Sequence, residues 1–177
     1  MSVSDNFNRA NASSLGANWT DITGGMQIVS NEAECDTGGL YEWTVWSANT
    51  WNADQTSQVT LGPSWAGDSG PLVRAGDAAG GGDGYMAMAH SSVGMRIYRR
   101  DNGSFTQLQD IGGSVAAGDV IKLEITGTTL KYYKNGAQQG TDQTDSTYAT
   151  GSAGIYSATA GNTGGIDDWV GTGEIAG

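Results

Sequence analysis

Trp46, Trp51 and Trp65 lie in polar, small-residue segments: Trp46-Ser47-Ala48-Asn49-Thr50-Trp51 and Ser64-Trp65-Ala66-Gly67-Asp68. Indole rings beside amides, hydroxyls and carboxylates suit sugar recognition. The apolar CH face of a pyranose stacks on the ring and the polar groups fix its orientation. The plainer role for each of these rings is packing over the rim of a core. A second set alternates along one segment. Arg96, Tyr98 and Arg100 fall on one side of an extended chain, Met95, Ile97 and Arg99 on the other. Together with Arg74, Tyr85 and His90, the first three predict a polar, aromatic patch for a glycan or an acidic partner. The competing reading is a solvated sheet face that balances acidic loops.

Hydrolysis of a glycosidic bond needs two carboxylates about 5–10 Å apart, one of them kept protonated. The nearest approach is Glu32-Ala33-Glu34-Cys35-Asp36, which runs into Thr37-Gly38-Gly39. That reads as solvated charge at a strand end, so no catalytic residue is assigned and the chain is not expected to be an enzyme. The single cysteine, Cys35, forms no internal disulfide and reads as a small half-buried residue. With one histidine, His90, no His/Cys metal cluster is available.

The elements that must carry these residues are strands. Ile121, Leu123 and Ile125 alternate with Lys122 and Glu124, and Val59 and Leu61 with Gln58 and Thr60. Asn102-Gly103 and Asn135-Gly136 each follow a strand-like run and predict type I′ hairpin turns. Helical periodicity is nearly absent. About a dozen short strands predict an all-β fold of two antiparallel sheets. The glycine-rich 76–84 stretch reads as a loop, and residues 1–177 as one domain.

Composition agrees. Glycine numbers 29 of 177 residues, without a collagen repeat. Aliphatic residues are sparse, but six tryptophans, seven tyrosines and five methionines supply a core. A net charge of −11 argues against nucleic-acid partners and anionic membranes. No apolar run predicts membrane insertion.

The run Gly118-Asp119-Val120-Ile121-Lys122-Leu123-Glu124-Ile125, the hairpin Leu130-Lys131-Tyr132-Tyr133-Lys134-Asn135-Gly136 and the closing Asp167-Asp168-Trp169 recur in one family. So do the opening Asp5-Asn6-Phe7-Asn8-Arg9-Ala10 with Leu15-Gly16 and Asn18-Trp19, and the central Gly70-Pro71-Leu72-Val73-Arg74-Ala75. The sequence resembles the concanavalin A-like lectin/glucanase superfamily, specifically its laminin-G-like jelly-roll modules. The resemblance implies a two-sheet jelly-roll β-sandwich with Trp19 and Trp169 in the core. It also implies that the opening and closing strands lie side by side, which would gather Asp5, Asp167 and Asp168 as a calcium site; the alternative is that Asp5 pairs with Arg9. The Glu-x-Asp-x-x-Glu strand of the glucanase branch is missing. The function it implies is a non-catalytic, lectin-like surface or structural module. A free-standing chain with no export signal resembles phage-encoded members, so the expected setting is a virion surface or other extracellular site. There it would be a capsid decoration, head fibre or tail component, in multiple copies, with glycans or virion proteins as partners. The alternatives are a carbohydrate-binding module of a secreted polysaccharide-degrading enzyme, or a divergent glycosidase.

Overall fold

The computed structural model describes residues 1–36, 41–76, 80–158 and 164–175. Fifteen strands and no helix are found among the described residues. They are β1 (Ser2–Asp5), β2 (Trp19–Thr23), β3 (Met26–Val29), β4 (Glu32–Cys35) and β5 (Glu42–Trp46). Next come β6 (Thr50–Leu61), β7 (Asp68–Gly76), β8 (Asp83–His90), β9 (Gly94–Asp101) and β10 (Ser104–Gly112). The last five are β11 (Val120–Thr126), β12 (Thr129–Lys134), β13 (Ala137–Thr144), β14 (Ser152–Ser157) and β15 (Ile166–Ile175). Residues 77–79 of the expected glycine-rich loop lie outside the described residues.

The strands form two antiparallel sheets packed as a jelly-roll sandwich. One runs β13-β12-β11-β6-β15-β4-β3 with β1 paired to β15; the other runs β10-β9-β8-β7-β14-β5-β2. Both Asn-Gly turns take the left-handed φ values a type I′ turn requires: 44° and 85° at Asn102 and Gly103, 50° and 81° at Asn135 and Gly136. Two-residue loops fix register, so Arg100 faces Phe105 and Tyr98 faces Gln107 across the β9–β10 hairpin.

Between the sheets lies the main core. Ile121, Leu123 and Ile125 of β11 point into it, as their alternation predicts. Its densest part is tryptophan. The Trp169 ring centroid is 4.7 Å from Trp19 and 5.4 Å from Trp46, and Trp51 closes over it at 6.3 Å. Gly171 makes room for this stack, since a Cβ there would sit 2.6 Å from the Trp51 ring and 2.7 Å from Trp169. A second apolar layer covers the outer face of the seven-stranded sheet: Trp43, Val45, Leu72, Met86, Met88 and Tyr156. Strands β7 and β8 are therefore buried on both faces.

At one end, Asp145 ties a loop to β8 and β9. It accepts from Tyr85 Oη at 2.7 Å, Arg99 Nη1 at 2.7 Å and the Thr147 amide at 2.8 Å. Burial is the largest single influence and opposes its charge. The bonds from Thr147, Tyr85 and Arg99 together outweigh it and hold the carboxyl down to about 2. A depressed carboxyl stabilises the fold fully above its unfolded value near 4 and loses that contribution as pH falls toward 2. The contribution at neutral pH is about 2–3 kcal/mol. Asp145→Asn is expected to lower unfolding stability by about that amount at pH 7, with the gap to the parent closing between pH 4 and pH 2. Urea unfolding across that range measures it.

Candidate functional site

The outer face of the seven-stranded sheet is apolar at its centre and polar along the β9–β10 margin. Alternation on β9 turns Met95 and Ile97 into the core and leaves Arg96, Tyr98 and Arg100 outside, as the sequence predicts. His90 ends the outward row of β8 that contains Met86 and Met88. The hairpin register then adds Phe105, Gln107 and Asp110 opposite Arg100, Tyr98 and Arg96.

These side chains form a layered cluster. Trp43 is fully buried at the base. The Arg100 guanidinium lies above it, with its central carbon 5.1 Å from the Trp43 ring and 5.1 Å from Phe105. Tyr41 packs on Phe105 at 4.6 Å and Tyr98 meets its edge at 6.0 Å. Phe105, 36% exposed, is the most open aromatic ring among the described residues. Tyr98 Oη donates to Gln107 Oε1 at 3.0 Å. Deeper, Tyr156 Oη donates to Asp68 at 2.7 Å, and Tyr41 bonds the same carboxyl. Burial pushes Asp68 up, and burial together with Asp68 pushes Tyr41 up to about 12. The face thus offers open aromatic edges, an amide, a carboxylate and guanidinium donors, with its aromatic base held in place from below.

Several expected site residues lie elsewhere. Trp46 and Trp65 are 7% and 6% exposed and belong to the core, and Trp51 is half-buried against Trp169. The expected rim of outward tryptophans is therefore corrected, because the rings follow the strand faces and corners inward while their polar neighbours face water. Arg74 and Tyr85 do not join the patch either. Tyr85 points into the core and bonds Asp145. Arg74 is 3% exposed and donates to the carbonyls of Ala53, Tyr148 and Gly127 at 2.8, 2.8 and 2.6 Å. Its role is to clamp β6, the β11–β12 turn and the β13–β14 connection together.

Among the described residues, Asp5, Asp167 and Asp168 are not gathered into a calcium site. Strands β1 and β15 do pair, but in a register that sets Asp5 opposite Trp169. Asp168, the next residue, takes the opposite face. Both Asp5 oxygens are already used, Oδ1 by the Phe7 amide and Arg9, Oδ2 by Arg9 and the Trp19 indole. Arg9 is the expected alternative partner. A carboxylate so occupied does not fit a calcium ion, and no group of three His, Cys, Asp or Glu side chains suited to a metal occurs among the described residues.

Glu32 and Glu34 are buried, at 5% and 3% exposure, rather than solvated. The Ser64 hydroxyl lies 2.5 Å from Glu32 Oε2 and 3.1 Å from Glu34 Oε1. Burial, reinforced by the Glu32 charge, pushes Glu34 up. The two carboxyls fasten the Ser64 turn to β4, and a Cβ at Gly165 would run into Glu32. Cys35 is fully buried, not half-buried.

Phe105, Tyr41, Trp43 and Gln107 were not singled out in the sequence. The Asn102-Gly103 turn was the signal for two of them, since it places Phe105 and Gln107 beside Arg100 and Tyr98.

Comparison with known proteins fixes the architecture. No family model and no curated protein matches the chain. Among solved structures it is similar to the carbohydrate binding module CBM66 from Bacillus subtilis. That match has a TM-score of 0.67 at 18% identity and covers 91% of this chain and 96% of that one. It is similar to the VIP36 exoplasmic/lumenal domain in its Ca2+/Man3GlcNAc-bound form, with a TM-score of 0.58 at 12% identity over 90% and 86% of the two chains. It also matches a xylan β-1,4-xylosidase from Bacillus halodurans C-125, with a TM-score of 0.62 at 13% identity, spanning 96% of this chain but 38% of that one. The likeness is one of fold, a two-sheet antiparallel jelly-roll sandwich, as the sequence resemblance implies.

Proposed function

We propose that this protein is a non-catalytic glycan-binding module, and that it binds through the β9–β10 margin of its seven-stranded sheet. The observation that carries the reading is the cluster in which Arg100 is held between Trp43 and Phe105, with Tyr41 and Tyr98 around the open Phe105 edge. A ring left partly exposed over a cation, beside Gln107 and Arg96, matches what a pyranose needs: an apolar platform and directional polar groups. The likeness to a carbohydrate binding module and to lectin domains supports the same reading. Fold alone does not assign function, so the residues of the face carry it.

The proposal includes the setting. Display in many copies on a virion or other extracellular surface suits a shallow site, because linked copies raise avidity by two to four orders of magnitude or so. A net charge of −11 favours solubility in such a display. A second setting, as a module attached to a polysaccharide-degrading enzyme, is supported by the match to 38% of a xylosidase chain.

Phe105→Ala is expected to weaken glycan binding by about 1–2 kcal/mol, or roughly tenfold, while the protein stays folded with a melting temperature lowered by only a few degrees, since the ring is partly exposed. Titration calorimetry with a glycan identified on an array measures it. Full binding by a folded Phe105→Ala variant would remove this face as the site.

A further inference from the structure

We infer that the sugar taken by this face carries a carboxylate, and that Arg96 reads it; this rests on the glycan-binding reading above. Arg96 lies on β9 between Met88 of β8 and Asp110 of β10. Its donors are poorly used. Nε is buried and makes an ion pair of 3.3 Å with Asp110 Oδ1 without the geometry of a hydrogen bond. Nη1 makes one long bond, 3.4 Å to Tyr98 Oη. Arginines with structural duties here are held far more tightly. Arg9 reaches Asp5 at 2.6 and 3.0 Å, Arg99 reaches Asp101 and Asp145 at 2.8 and 2.7 Å, and Arg74 meets its three carbonyls within 2.8 Å.

An arginine presents a planar fork of donors that matches both oxygens of a carboxylate. Arg96 offers such a fork with its Nε bond unmade. Its ion-pair partner among the described residues, Asp110, is 52% exposed and free to swing away. Tyr98, two residues along the same strand, is anchored about 7 Å away at its backbone and brings its hydroxyl to 3.4 Å from Arg96 Nη1. A ring resting on Tyr98 and Phe105, whose centroids are 6.0 Å apart, would therefore bring an acid substituent on its edge to Arg96. The local charge fits. Strand β9 places two of the eight basic residues of the chain, Arg96 and Arg100, on this face. Long-range attraction is not available to an acidic sugar approaching a protein of net charge −11, so recognition falls to this short-range fork.

The test uses the full chain and a panel of acidic oligosaccharides, each paired with a neutral counterpart: oligouronates with their carboxyl-reduced forms, and sialylated glycans with their desialylated forms. The parent protein is expected to prefer at least one acidic member over its neutral partner about tenfold or more. Arg96→Lys, which keeps the charge and loses the fork, is expected to erase that preference by lowering acidic affinity about tenfold more than neutral affinity, with the melting temperature unchanged. Asp110→Asn, which removes the competing carboxylate, is expected to raise acidic affinity. Equal affinity for both members of every pair, or a preference that survives Arg96→Lys, overturns the inference and leaves the glycan-binding reading standing. Absence of binding to every member overturns both. Roughly tenfold weaker binding of acidic and neutral members alike in Phe105→Ala, beside selective loss of acidic affinity in Arg96→Lys, supports both.

Discussion

Trp46→Ala is expected to destabilise the fold by about 3–5 kcal/mol and to leave glycan affinity of the folded protein unchanged. Trp46 is 7% exposed and stacks on Trp169 at an interplanar angle of 25°, while Trp19 meets it edge-on at 5.4 Å. Its indole donates to Asn49 and its carbonyl accepts from the Trp51 indole. Alanine would open a hole in the aromatic stack that tethered strands can only partly close, so the cavity cost adds to the lost transfer energy. For a chain of this size the melting temperature should fall by about 10 °C. The site is untouched because Trp46 projects inward, whereas Phe105 and Tyr98 lie on the outer face of the same sheet. Thermal unfolding and glycan titration on one preparation decide the matter. Intact stability with lost binding would restore the outward tryptophan rim and displace the site from the sheet face.

The sandwich was legible because its signals are local. An Asn-Gly pair needs left-handed φ, and alternation in Val120–Thr126 specifies one buried face. The same logic correctly placed Arg96, Tyr98 and Arg100 together. It failed for Trp46 because Ser47, Asn49 and Thr50 make the segment look like a surface loop. The polarity of neighbours does not report which way one ring turns. For Asp5 and Asp168 the resemblance implied the right pair of strands, and a one-residue register decided the rest: Asp5 stands opposite Trp169, so Asp168 faces away. Tyr41 and Trp43 reach the candidate site from β5 and the segment before it, far along the chain from β9. No spacing rule connects them.

Arg74 is the residue whose sequence role and structural role differ most, and its removal is expected to cost about 4 kcal/mol. The register of β7 against β8 shifts between Val73 and Gly76, and Arg74 takes φ of 48° there. The irregularity breaks the alternation that would have kept Arg74 on a sheet face and sends it among the loops at one end of the sandwich. Burial lowers its pKa, which marks the cost of keeping the cation from water; Tyr85 and Asp54, the latter 3.9 Å away, work in the opposite direction. Arg74→Met therefore removes a desolvation cost along with three hydrogen bonds. The bonds prevail, because the carbonyls of Ala53, Tyr148 and Gly127 would each lose their donor at about 1–3 kcal/mol. The penalty stays below the full sum because a pocket of about 330 Å³, lined by Asp54, Gly127, Ser146 and Tyr148, gives water a route to some of them. Arg74→Lys should recover only part, since one ammonium does not reproduce the fork that spans β6 and two connections. Amide exchange should quicken first around residues 53–54, 127–128 and 146–149, and glycan affinity of the folded variant should match the parent. Unchanged stability together with lost glycan binding would instead make Arg74 a ligand-contacting residue.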